Sequence, residues 1–289
     1  MIRWLVLACA VSTSLGWWCT AHMTIALIAQ RELEGTPVWD KVNEILNPLF
    51  GDLTHNIANS FVETACWADD LQEWGLFFAY PWHFIDQPYN TVGFLNATAS
   101  GPNVLWAIDQ AIETLTFEPP SPAVLEKSMM MRFLIHFMGD MHQPLHVTSM
   151  WSRDFPHGDY GGNLLKIKWD DNIVELHAFW DAGVGYLEWD VPRPLDAKGW
   201  GQIATYADWA TSNYTRADLE DLLQVTDRTY WAEFNFLTAV NYCYNGIQQY
   251  QVPTQDYVER AWPIVMRQIA LAGYRLADAL KSIYGTNNI

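Results

Sequence analysis

The sequence predicts a mainly α protein, a single-domain helical bundle carrying one small β-hairpin. Three observations predict it. Apolar residues recur at three- and four-residue spacing through most of the chain. One short stretch, residues 164–169, alternates with the two-residue period of a strand. No linker, repeat or low-complexity tract divides the 289 residues, so one domain is expected over residues 17–289.

The elements follow in order. Met1-Ile-Arg3 is a short basic start, residues 4–15 are mostly apolar, and Ser14-Leu-Gly16 is a small-x-small cleavage signal. Residues 1–16 therefore read as a secretory signal peptide, too short to span a membrane, and cleavage leaves Trp17 as the new N-terminus. Helical spacing then predicts helices over 18–33, 39–46, 57–71 and 104–115. A long helix is expected over 123–141, opened by Ser121-Pro122 and broken by Pro144. The alternating run 164–169 meets Asp170-Asp171-Asn172, which reads as a hairpin turn leading into a helix around His177. Helices are expected again over 199–213, 226–249 and 257–284, with Pro263 marking a kink or the first turn of the last one.

Composition narrows the function. A hydrophobic fraction of 50% against 17% charged residues supplies a sizeable core and excludes a disordered chain. Sixteen Trp are mostly core filler on this reading. The formal net charge is -17, so Lys and Arg cannot supply the attraction on which polyphosphate binding usually rests. Bound divalent cations would reverse the local sign. No other run is long and apolar enough to cross a membrane, and the protein is expected to be secreted or held in the secretory-pathway lumen, and monomeric. Cys9 leaves with the signal peptide. Cys19, Cys66 and Cys243 remain, an odd number for an oxidising compartment; Cys66 can pair with Cys19 or with Cys243. Asn96 and Asn213 begin N-x-Thr glycosylation sequons.

The chemistry concentrates in two segments, His136-Phe-Met-Gly-Asp140-Met-His142-Gln-Pro-Leu-His146 and His177-Ala-Phe-Trp-Asp181. Each pairs a His with an Asp four residues on, which one helical turn brings to the same face. Imidazole and carboxylate on one face make half of a divalent-metal site, and zinc is the common occupant of such N/O sites. His142 lies two residues from Asp140, off the shared face, and reads as a supporting or structural residue.

With further landmarks the chain resembles the class I zinc-dependent nucleases, the single-strand-specific nucleases and 3′-nucleotidases related to bacterial zinc phospholipase C. The landmarks are Trp17-x4-His22, Trp67-Ala-Asp69, His83-Phe-Ile-Asp86, the run from His136 to His146, Gly161-Gly-Asn163 and His177-x3-Asp181. The resemblance spans the mature chain and implies a helical zinc phospholipase C/nuclease-like fold holding three Zn2+ ions. It assigns one zinc to Asp69, His83, His136 and Asp140. A second falls to His146, His177 and Asp181. A third falls to the free amino group and carbonyl of Trp17, to His22, and to Asp140 as a bridge. His55 and His157 match no ligand position.

The resemblance implies hydrolysis of phosphodiester bonds in single-stranded DNA and RNA to 5′-phosphates, together with 3′-nucleotidase activity. Asp69 would both ligate and orient the attacking water. A base would stack between Phe84 and Tyr160 while Asp86 hydrogen-bonds its edge, with Asn163 from the Gly-Gly-Asn loop beside it. Stacking needs an unpaired base, hence the single-strand preference. Relatives of this type carry Arg where this chain has Gln72, expected at the phosphate without the positive charge. Two other readings share the ligand pattern. A phospholipase C-like phosphodiesterase would typically carry Glu at Asp181 and leaves Phe84, Asp86 and Tyr160 unexplained. A non-catalytic secreted zinc-binding protein would leave the intact ligand set without work.

Overall fold

The structure is a computed structural model that describes residues 17–49, 60–94, 101–118, 123–187 and 191–285. The expected signal peptide at 1–16, His55 and the sequon at Asn96 lie outside these residues.

Helix α1 (Cys19–Leu33) is buried over residues 20–29. Ten consecutive buried positions cannot come from an amphipathic surface helix; this one is central to the bundle. It packs along α11 (Gln255–Tyr284), α8 (Ala197–Asn213) and α3 (Phe61–Thr64). Close approach to α11 depends on Gly273, where an added Cβ would lie 2.6 Å from the Ile28 side chain. Helix α2 (Pro37–Leu46) starts with Thr36 accepting the Trp39 N–H and Pro37 in the first turn, where its missing donor costs nothing.

Of the helix expected over 57–71, residues 57–59 lie outside the described residues, and the rest is two short helices, α3 and α4 (Trp67–Glu73), interrupted at Ala65–Cys66. Cys66 is tied to Cys19 by a disulfide, with Cα atoms 5.3 Å apart. Cys243 is the buried free thiol. The break frees the Ala65 carbonyl, which accepts a hydrogen bond from His136 Nδ1 at 2.6 Å rather than from the next helical turn. Local propensity lost here to a crosslink and a site contact. The disulfide closes a separation of 47 residues and joins the starts of α1 and α4. On loop-closure grounds it contributes roughly 4 kcal/mol.

Strand β1 (Gln87–Asn90) follows, then α5 (Val104–Thr116), capped by Asn103, and α6 (Val124–Asp140). From Met131 to Ser149 every residue is buried, polar ones included. Helix α6 stops at Asp140, four residues before Pro144, which opens the turn Pro144–His146, and β2 (Thr148–Trp151) begins just after that. β1 and β2 pair in parallel, Gln87 opposite Thr148 and Asn90 opposite Trp151, a pairing absent from the sequence reading. The expected hairpin forms from β3 (Lys166–Trp169) and β4 (Asn172–Glu175). Its turn residues Asp170 and Asp171 both have positive φ (45° and 62°), the geometry that matches hairpin twist.

Helix α7 (Leu176–Asp181) carries the second His–Asp pair. After α8 comes the short α9 (Glu220–Leu223). The helix expected over 226–249 is α10 (Arg228–Thr238), which widens into a π turn at Ala239–Cys243 and stops. Gly246 at φ 89° then turns the chain back. Tyr250 donates to Lys166 O and Lys168 donates to Gln251 O, so this segment covers the hairpin edge. α11 begins at Gln255, and Pro263 therefore sits inside the helix, not in its first turn.

Candidate metal and substrate site

Eight side chains proposed as ligands converge from five elements: α1 (His22), α4 (Asp69), the turn at 80–83 (His83), α6 with the turn behind it (His136, Asp140, His146), and α7 (His177, Asp181). They form three groups whose ligand atoms lie within 4.8 Å of one another: His22–His136–Asp140, Asp69–His83–His136 and His146–His177–Asp181. Trp17, fully buried, directly precedes the N-cap of α1, which brings in His22.

Asp140 is the hub. Its Oδ2 lies 2.9 Å from His83 Nδ1 and 3.1 Å from His136 Nε2, and its Oδ1 lies 3.4 Å from His22 Nε2. The His22 ring stacks on His136 with centroids 4.0 Å apart. Gly139 makes room for it, since a Cβ there would sit 2.6 Å from His22 Nδ1. His146 and His177 bring their Nε2 atoms within 3.2 Å of each other.

This donor set fits metal ions. Both nitrogens of buried His22, Asp69 Oδ1 and Asp140 Oδ1 lack hydrogen-bond partners. Buried polar atoms are normally satisfied, and a cation would satisfy these. Three histidines are fixed from behind: His136 Nδ1 donates to Ala65 O, His146 Nδ1 to His83 O, and His177 Nδ1 to Gly161 O, each at 2.6–2.7 Å. Each bond places the Nδ1 proton at a carbonyl and turns Nε2 inward, the usual support for a metal ligand. Gln143 does the same for a carboxylate. Its Nε2 donates to Asp181 Oδ1 at 2.7 Å while its Oε1 accepts Leu145 N–H at 2.6 Å.

The electrostatics are those of a buried mixed cluster. Burial, helped by the neighbouring His136, lowers His22 to about 4. Burial also takes His146 down to about 3. Burial opposes a charge on His136 too, but the Asp140 and Asp69 carboxylates outweigh it and hold the ring up at about 9. Asp140 is held well below the usual carboxylate range against burial, by His136 and His146. Asp69 is raised by burial, and Asp140 and Asp70 add to this against His136. Among the eight, Asp69 keeps a side-chain exposure of 30%, against 5% or less for the other seven.

Beside the cluster opens a cleft of about 330 Å³, lined by Tyr80, Phe84, Asp86, His146, Tyr160 and Asn163 among others. His177 completes its wall, so the cleft shares two histidines with a candidate metal group. The unexpected parallel pair builds it. Ile85 donates to His146 O and Gln87 to Val147 O, which sets Phe84 and Asp86 against the ligand segment. Asp86 and Tyr160 both hold positive φ (56° and 53°), a conformation that costs energy for Tyr in particular. Asn163 ties its Nδ2 to Tyr160 O at 2.8 Å. Buried Asp159 anchors the loop, accepting from Met150 N and Tyr244 Oη.

Gln72 lies beside the cluster, its amide against His83. It is buried and absent from the cleft lining. His142 lies in another network, donating to Met138 O and facing Arg275, which stacks over Trp231. His157 is exposed on a turn. Sequence reasoning missed Tyr80, whose ring meets Phe84 edge-on at 5.2 Å, and the anchors Gln143 and Asp159. Gln143 carried a signal: a polar residue between candidate ligands in an otherwise buried run.

Comparison with known proteins agrees with this geometry. A family model described as S1/P1 Nuclease matches residues 17–285. The chain is 24% identical to Endonuclease 1 of Arabidopsis thaliana over 305 aligned residues, covering 100% of this chain and 93% of the relative. It is 26% identical to Nuclease S1 of Aspergillus oryzae, covering 93% and 92%. Nuclease P1 of Penicillium citrinum is likewise 26% identical, with 93% and 98% covered.

Proposed function

Because the chain belongs to the S1/P1 nuclease family and is thus a nuclease hydrolysing phosphodiester bonds, we propose that it is a secreted, zinc-dependent endonuclease of single-stranded DNA and RNA that also acts on 3′-nucleotides. The observation that carries this reading is the sharing of His146 and His177 between the cleft and a ligand cluster. A base held in that cleft brings its phosphate to the metal-binding residues.

Three Zn2+ would be held by Asp69, His83, His136 and Asp140; by His146, His177 and Asp181; and by Trp17, His22 and Asp140. Zinc supplies Lewis acidity toward phosphate oxygens and lowers the pKa of water toward about 7. The protein groups do the rest. Asp69, partly exposed, orients the attacking water. Phe84 and Tyr160 take the faces of one base, and Asp86 accepts hydrogen bonds from its edge. A paired, stacked base cannot enter. Release of Trp17 by cleavage after Gly16 frees the amino group needed as a ligand, whose pKa lies below that of Lys. The Cys19–Cys66 disulfide fits an oxidising compartment, and among the described residues no helix is long and apolar enough to cross a membrane. Asn213, exposed at the end of α8, is offered as a glycan acceptor, and the protein acts as a monomer.

The test is hydrolysis of single-stranded DNA, RNA, 3′-AMP and phosphatidylcholine by the secreted protein, with and without a chelator. Chelator-sensitive cleavage of the nucleic acids and 3′-AMP is expected. Preference for the lipid would transfer the site to phospholipase chemistry, and inertness toward all four would leave a zinc-binding protein without catalysis.

The cleft also predicts a pH dependence. Burial, with the Asp159 charge adding, raises Asp86 to about 6, although His177 opposes this. Above that pH the carboxylate accepts N–H groups from a base edge; below it the proton blocks this role. KM for 3′-GMP, whose guanine offers N–H donors, should rise about tenfold from pH 7 to pH 5. Asp86→Asn should remove the step. An unchanged pH profile in that variant would exclude Asp86 as its source.

A further inference from the structure

His83 differs from the other ring ligands. His136, His146 and His177 point Nδ1 at backbone carbonyls and Nε2 inward. His83 instead points Nδ1 inward, 2.9 Å from Asp140 Oδ2, 3.1 Å from His136 Nε2 and 3.6 Å from Asp69 Oδ1. A nitrogen that ligates a metal carries no proton, so the proton of neutral His83 must sit on Nε2. The ring is fully buried, and that N–H needs an acceptor.

The group within reach is the Gln72 carboxamide, with its Nε2 3.3 Å from His83 Nε2. In that orientation two N–H groups face each other, while Gln72 Oε1 is buried with no partner. Turning the amide by half a rotation exchanges nitrogen and oxygen and gives the His83 N–H an acceptor, and such exchanges rest on hydrogen-bond logic rather than shape. Gln143 shows the contrasting case, fixed by a carboxylate on one side and an N–H on the other.

We propose that Gln72 Oε1 accepts the Nε2 proton of His83 and so commits this ring to present Nδ1 to the metal. Gln72 is then a positioning residue for the metal centre rather than a phosphate ligand. The inference rests on the metal reading above. It also gives chemical sense to glutamine at this position. A guanidinium offers donors and no acceptor, so Arg cannot perform this task; Gln and Glu can.

The experiment is zinc affinity of the full mature chain, measured by chelator competition in wild type and three variants, with the His83 ring nitrogens of wild type followed by 15N NMR. Gln72→Glu keeps the acceptor and should bind within about threefold of wild type or tighter. Gln72→Met and Gln72→Arg should bind about 10–100-fold more weakly. Zinc-loaded wild type should show a protonated Nε2 and a zinc-bound Nδ1 on His83, a readout that needs no variant to fold. Equal affinity in Gln72→Met, a loss in Gln72→Glu as large as in Gln72→Met, or zinc on Nε2 overturns the proposal while leaving the metal centre standing. A wild type that binds no zinc overturns both.

Discussion

Asp140→Asn is expected to lower kcat/KM on single-stranded DNA by at least about 10³-fold, roughly 4 kcal/mol of transition-state stabilisation. Asp140 is approached by four other ligand candidates. Its two oxygens face His22, His83 and His136 within 3.4 Å, with His146 Nδ1 at 3.5 Å. Asparagine has the same shape, but one of its two acceptors becomes an N–H pair that repels a cation. The same substitution removes the charge that outweighs burial at His136, whose pKa should fall from about 9. Circular dichroism should show the helical fold retained, and metal analysis should show fewer bound ions. Wild-type activity in this variant would place the chemistry elsewhere.

The second large effect is expected at the cleft. Phe84→Ala and Tyr160→Ala should each cost about 1–3 kcal/mol in kcat/KM on single-stranded DNA, the scale of one lost base stack. An oligomer carrying an abasic site at the scissile step should lose far less, because it has no base to stack. Tyr160 is 54% exposed and Phe84 is partly buried. Truncation at Tyr160 therefore leaves little cavity, and its effect should appear in KM without a change in Tm. Equal losses on both oligomers would make these aromatics scaffold rather than binding surface.

The parts of this site that were legible are local ones. His136–Asp140 and His177–Asp181 follow from one turn of helix, and α6 and α7 present them on shared faces. The hairpin was legible because Asp170-Asp171 sits between alternating residues. What escaped depends on contacts between distant segments. The parallel β1–β2 pair involves four residues on each side and includes Pro88, so neither strand carries a period of its own. Yet that pair sets Phe84 and Asp86 beside His146. The break at Ala65–Cys66 likewise follows from a disulfide and from a histidine of α6. Gln72 was read by its likeness to an Arg position; its burial against His83 is a contact between distant segments that the sequence does not carry.

The most direct test of the account is the metal content of the secreted, N-terminally sequenced protein, measured by mass spectrometry after exhaustive dialysis and compared with its nuclease activity. The account predicts a chain beginning at Trp17, three zinc ions per chain, and activity lost with chelation and restored by Zn2+. Full nuclease activity in protein stripped of every metal ion would contradict it.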